Sequence, residues 1–128
     1  MEVSAPDLMG RRILVIEDES MVSMLIEDTL ADMGCVVVAL ASRFDDGLSK
    51  AQTLAFDAAI LDVNLAGQRS FAIADALRMR KLPFVFATGY GTTSIPQPLR
   101  DVPILQKPFA SHDLEQALRS ALASTRKA

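Results

Sequence analysis

Five short apolar runs divide this chain, and the stretches between them keep helical spacing. The runs lie at 13–16, 36–40, 58–61, 84–87 and 104–105. Continuous apolar runs of this length read as strands buried on both faces of a parallel sheet. Between them, Val22, Leu25, Ile26, Thr29, Leu30 and Met33 mark a first helix, which Gly34 stops. Phe44, Leu48, Ala51 and Leu54 mark a second, and Ile73, Ala74 and Leu77 a third that ends before Pro83. Leu114, Ala117, Leu118, Ala121 and Leu122 mark the last, with Ser111 as its N-cap and Glu115 able to pair with Arg119. All these stripes are read as core packing. Strand and helix in alternation imply an α/β fold, a doubly wound parallel sheet with helices on both faces.

One crossover breaks the plan. Residues 89–103 hold two glycines, Thr92-Thr93-Ser94 and prolines at 96, 98 and 103. Each interior proline costs a helix about 3 kcal/mol, so a short or poorly formed fourth helix is expected.

The ends of the runs carry the chemistry. The first stops at Glu17-Asp18, the third at Asp62 and the fourth at Thr88, and Lys107-Pro108 follows the fifth. Open parallel sheets bind ligands just outside the carboxyl ends of their strands, so these groups have one natural meeting place. Three carboxylates in one pocket repel, by about 4 kcal/mol per pair at about 4 Å and an effective dielectric of about 20. Either one acid keeps a proton or a cation sits among them. Magnesium suits one or two carboxylates plus water and phosphate. The bland alternative makes 17–19 a solvated loop feeding a helix. Asp62 is the best candidate nucleophile, since carboxylates form aspartyl phosphates; Thr88 and Lys107 would hold phosphoryl oxygens.

Composition narrows the classes. The 128 residues fit one domain with a real core, with 1–10 as a flexible extension, 11–125 as the domain and 126–128 as a tail. No run approaches the roughly 20 apolar residues of a membrane span, and the first ten residues lack the pattern of a signal peptide. The one cysteine, Cys35, excludes an internal disulfide and fits a reducing cytoplasm. A net charge of −3, no basic block and no tryptophan argue against nucleic-acid binding.

Residues 12–122 resemble the receiver domain of bacterial two-component response regulators, the CheY-like fold. The pieces that carry the resemblance are Val15-Ile16-Glu17-Asp18-Glu19, Leu61-Asp62, Ala87-Thr88-Gly89 and Lys107-Pro108-Phe109. The resemblance implies a flavodoxin-like five-stranded sheet of order 2-1-3-4-5. It implies a phosphoryl group passed to Asp62 from a histidine kinase or histidine phosphotransfer protein, with Mg²⁺ as cofactor. Glu17, Asp18, Asp62 and the Asn64 backbone carbonyl would hold the metal, and Thr88 and Lys107 would bind the phosphoryl oxygens. Asn64 and Tyr90 would tune dephosphorylation, and the Lys107-Pro108 bond would be cis. It further implies a signalling protein, a monomer or weak dimer, read out by a downstream protein partner or acting as a phosphate sink.

The chain departs from the common receiver pattern at two places. Asn64-Leu65-Ala66-Gly67-Gln68-Arg69-Ser70 replaces the usual Met-Pro and later Gly, and Ile104 stands where an aromatic rotamer switch is usual. The stretch Pro83-Phe84-Val85-Phe86-Ala87-Thr88-Gly89-Tyr90 resembles the Pro-Phe-x-Phe-Ala-Thr-Gly-Tyr subfamily, whose kinases are often of the HWE type. Two rival classes stand beside this reading. One is a receiver-shaped binding module that is never phosphorylated, which would be expected to have lost an acid or the lysine. The other is a Mg²⁺-dependent phosphatase, which would place an acid rather than Asn64 two residues after its nucleophile.

Overall fold

The computed structural model describes residues 8–90 and 94–127. Its elements run β1 (Arg12–Ile16), α1 (Ser20–Asp32), β2 (Val36–Ala41), α2 (Phe44–Thr53), β3 (Ala58–Asp62), β4 (Asn64–Leu65), β5 (Gln68–Arg69), α3 (Phe71–Met79), β6 (Phe84–Thr88), β7 (Ile104–Gln106) and α4 (Ser111–Lys127). The main sheet is parallel, in the order β2-β1-β3-β6-β7. Because β4 and β5 form a separate antiparallel hairpin, this is the flavodoxin-like order 2-1-3-4-5.

The period-two alternation of the central strands builds a core on each face of the sheet. Leu14, Ile16, Leu61 and Phe86 face Ile73 and Leu77 of α3. Ile13, Val15, Ile60 and Val85 face Ile26 and Leu30 of α1 and Leu114 and Leu118 of α4. Phe86 meets Phe84 and Phe71 edge-on, with ring centroids 5.3 and 6.2 Å apart.

The fourth crossover contains a 3-10 turn at Gln97–Leu99, with proline in its first positions. Residues 91–93 lie outside the described residues. Ile95 and Leu99 fill the core face that a helix would cover. The Arg100 Nε donates to the Ile95 carbonyl at 2.8 Å, and Arg78 pairs with both Asp101 oxygens at 3.1 and 3.2 Å. Among the described residues, the proline-rich segment thus packs Ile95 and Leu99 onto the sheet and is held by these anchors.

Several details differ from the sequence reading. The run at 36–40 reads as buried, yet β2 is an edge strand with Val36, Val38 and Leu40 exposed. An apolar run does not reveal which strand lacks a neighbour. Leu25 belongs to the helical stripe by spacing but is 51% exposed. Ser111 is the first helical residue rather than the cap. Ala110 precedes it, and its N–H donates to the Asp113 carboxylate at 3.0 Å. Leu8, inside the expected extension, is buried in the core, and Gly10 N–H donates to Gly34 O at 2.7 Å. Residues 1–7 lie outside the described residues, and α4 continues to Lys127.

Candidate functional site

Strand register brings the polar residues together. Ile16 pairs with Leu61 and Asp62 with Ala87, while Thr88 pairs with Gln106. Glu17, Asp62, Thr88 and Lys107 therefore end neighbouring strands at nearly the same height. Further backbone bonds extend this register: Glu17 N–H to Ala41 O at 2.9 Å, Val63 N–H to Ala87 O at 3.0 Å, and Lys107 N–H to Thr88 O at 2.8 Å.

The result is a cavity of about 290 Å³ lined by Asp18, Glu19, Asp62, Asn64, Thr88, Gly89, Tyr90 and Lys107. Glu17, Asp18 and Asp62 each present a carboxylate oxygen within 4.8 Å of the others. Lys107 Nζ lies 2.8 Å from Glu17 Oε1, 3.3 Å from Asp62 Oδ2 and 3.8 Å from Glu19 Oε1. Glu17 Oε1 is fully buried and is held by this ion pair to the Lys107 ammonium. The other Glu17 oxygen accepts from the Glu19 N–H at 3.2 Å.

The Asp62 carboxyl is pushed up to about 8. Burial is the main cause, the adjacent Glu17 the next, and Lys107 only partly opposes them. Asp18 goes the other way. Burial would raise it, but the Ala66 N–H at 2.9 Å and the neighbouring acids hold it below the ordinary value. Burial alone would lower the Lys107 ammonium, yet Glu17 and Asp62 hold it above its usual value. With the three acids alone, one proton is retained on Asp62. A divalent cation removes that need, and three carboxylate oxygens converging within 4.8 Å of one another are the hard donors it takes. The residues present therefore fit Mg²⁺.

The remaining expected residues fall around this centre. Thr88 is buried; its Oγ1 accepts from the Tyr90 N–H at 3.0 Å and keeps its own proton to donate. Asn64 N–H donates to Asp62 Oδ1 at 3.2 Å. Tyr90 lines the cavity but is largely exposed. Ile104 packs half-buried against the core, away from the carboxylates. The Lys107-Pro108 peptide is cis.

Three contributors escaped the sequence reading. Glu19 reaches the lysine from the start of α1. The fully buried Ser70 donates its hydroxyl to the Asp62 carbonyl at 2.5 Å, which ties the start of α3 to the strand carrying the central acid. The Ala66 amide holds Asp18. Glu19 and Ser70 could have been suspected from their nearness to the acids in the chain. A backbone donor leaves no side-chain signal.

Residues 13–119 match the family model described as the response regulator receiver domain. The chain belongs to that family. Receiver domains are signalling domains that partner with histidine kinases or phosphotransfer proteins and bind Mg²⁺ in their acidic pocket. The chain is 39% identical to SdrG of Sphingomonas melonis Fr1, whose solution structure superposes with a TM-score of 0.79 over 92% of this chain and 99% of that one. It is 26% identical over 121 residues to the transcriptional regulatory protein PdtaR of Mycobacterium tuberculosis, covering 91% of this chain and 59% of that protein. It thus spans about three-fifths of the length of that curated relative. The receiver domain of the Pseudomonas aeruginosa sensor histidine kinase PA1611, with magnesium coordinated in its active-site cleft, shares the fold. Its TM-score is 0.74 at 22% identity, over 89% of this chain and 98% of that one. Among the described residues, no helix is long and apolar enough to cross a membrane.

Proposed function

We propose that this receiver domain accepts a phosphoryl group on Asp62 in a Mg²⁺-dependent reaction and signals through a protein partner. The observation that carries the reading is the convergence of Lys107 Nζ on Glu17 and Asp62 at 2.8 and 3.3 Å, inside a three-carboxylate cluster. A carboxylate oxygen of Asp62 attacks phosphorus as the phosphorus–nitrogen bond of a phosphohistidine breaks. The electron pair leaves on the imidazole nitrogen, and an acyl phosphate remains. Such transfer depends on positioning and charge neutralisation.

Glu17, Asp18, Asp62 and the Asn64 carbonyl would hold Mg²⁺, which supplies positive charge against the phosphoryl oxygens. Lys107 pairs with one phosphoryl oxygen, and the Thr88 hydroxyl donates to another. Because Thr88 Oγ1 also accepts the Tyr90 N–H, that donation is coupled to the segment at 89–99, the element proposed to change on phosphorylation. Asn64 and Tyr90 line the cavity, which supports a role for them in tuning access of water to the acyl phosphate. The phosphodonor is a histidine kinase, of the HWE type by the motif at 83–90, or a phosphotransfer protein. A groove of about 670 Å³ along β7 and α4, lined by Ile104, Gln106, Pro108 and Gln116 among others, suits a downstream partner.

The test is incubation with acetyl phosphate and Mg²⁺ followed by intact-mass measurement. The wild type is expected to gain one phosphoryl group and the Asp62→Ala variant none. Equal labelling of both would remove Asp62 from the role, and no labelling of either would remove the function.

A further inference from the structure

Resting on the Mg²⁺ reading above, we propose that the β4–β5 hairpin is a positioning device for Asp18, acting through the Ala66 amide. The hairpin occupies the stretch where this chain departs from the common receiver pattern. Asn64 pairs with Arg69 and Leu65 with Gln68, around a two-residue turn. Ala66 at φ +52 and Gly67 at φ +87 are successive left-handed residues, as a tight primed hairpin turn requires. Glycine takes that conformation freely, but alanine does so against its Cβ. Among the described residues, only Ala66 and Lys81 are non-glycine residues at positive φ. Strain of this kind persists where surrounding contacts enforce it, and it gathers at functional sites.

The enforcing contacts are visible. Leu65 is buried in the core while its neighbours 66–69 are exposed. Ser70 closes the base, with its N–H on Val63 O at 2.9 Å and its hydroxyl on Asp62 O. From the tip, the strained Ala66 sends its N–H to Asp18 Oδ2 at 2.9 Å, across 48 positions of sequence. A carboxylate has about four lone-pair sites, so one such bond orients the group and leaves the others for a cation. The hairpin thereby joins the two acids of the pocket. Its base holds the Asp62 carbonyl and its tip holds the Asp18 carboxylate. Ala66 is a positioning residue, since its amide reaches the metal only through Asp18.

The experiment is Mg²⁺ titration of the full chain, followed by amide chemical shifts, for the wild type and three variants. Ala66→Pro deletes the donor and, with its φ fixed at about −65°, also denies the turn its left-handed residue. Gly67→Val strains the turn from its other residue, where an added Cβ meets nothing within 4 Å. Ala66→Gly keeps the donor and relieves the strain. Ala66→Pro and Gly67→Val are expected to weaken Mg²⁺ binding about tenfold, a typical cost of losing a group that orients a metal ligand. Ala66→Gly is expected to stay within about twofold of the wild type. Wild-type affinity in Ala66→Pro, or an equal loss in Ala66→Gly, overturns the proposal while leaving the Mg²⁺ reading intact. A wild type that binds no Mg²⁺ overturns both.

Discussion

Replacing Asp62 with asparagine should make the metal-free protein more stable. Asn is nearly isosteric and can still accept the Asn64 N–H, and Lys107 keeps Glu17 at 2.8 Å, so what is lost is chiefly the buried acid. That acid is pushed up to about 8 in the folded state, against about 3.9 in an unfolded chain. The folded state holds a proton that the unfolded state has lost throughout that window. Stability therefore falls by about 1.36 kcal/mol for each pH unit from about 4 upward, and levels off above about 8. At neutral pH the ceiling on this cost is about 4 kcal/mol. Sharing of the proton among coupled acids and local relaxation bring the expected gain for Asp62→Asn to about 2 kcal/mol, or roughly 6–10 °C in midpoint. The assay is urea or thermal unfolding in chelator at several pH values. The gap should be largest near pH 8 and shrink toward pH 5, and saturating Mg²⁺ should narrow it by stabilising the wild type. A variant no more stable than the wild type in chelator, or a gap independent of pH, would refute the reasoning.

Three smaller outcomes follow from the packing. Gly47→Ala ordinarily improves a helix by about 1 kcal/mol, but here the new Cβ would sit 2.9 Å from Ile16 Cγ2 and 3.3 Å from Ile73 Cδ1. Denaturant titration should show a loss of about 1–3 kcal/mol instead. Ser70→Ala removes a buried donor from the Asp62 carbonyl and should cost about 1–2 kcal/mol in the same assay. The Arg12–Asp57 pair gives a pH signature of opposite sign to that of Asp62. Burial would raise Asp57, but the Arg12 N–H at 2.7 Å and the guanidinium hold it below its ordinary value. Its contribution is present above the unfolded value and fades as pH falls through the depressed one. Asp57→Asn should therefore lose at most about 1 kcal/mol at neutral pH and match the wild type at the acid end of a pH series.

Much of the fold was legible because the central strands are buried on both faces. Runs such as 58–61 and 84–87 can hardly be read otherwise. The site was legible because its side chains terminate those strands, and parallel register then leaves Glu17, Asp62, Thr88 and Lys107 little choice of position. The edges were harder. Val36, Val38 and Leu40 are as apolar as a central strand and yet exposed, because pairing partners are a property of the whole sheet. The hairpin at 64–69 was hidden for a different reason. Only Gly67 signals its turn; the other left-handed residue is an alanine, enforced by contacts at the hairpin's base and tip. The break in the fourth crossover was visible in its prolines and glycines, whereas the burial of Ile95 and Leu99 was not.

The most direct measurement is to locate the phosphoryl group. After acetyl phosphate and Mg²⁺, borohydride reduction of the acyl phosphate and peptide mass spectrometry should place the reduced residue at position 62. Reduction at position 18 or 17 instead, or a modified histidine or serine with position 62 unchanged, would contradict the assignment of Asp62 as the acceptor.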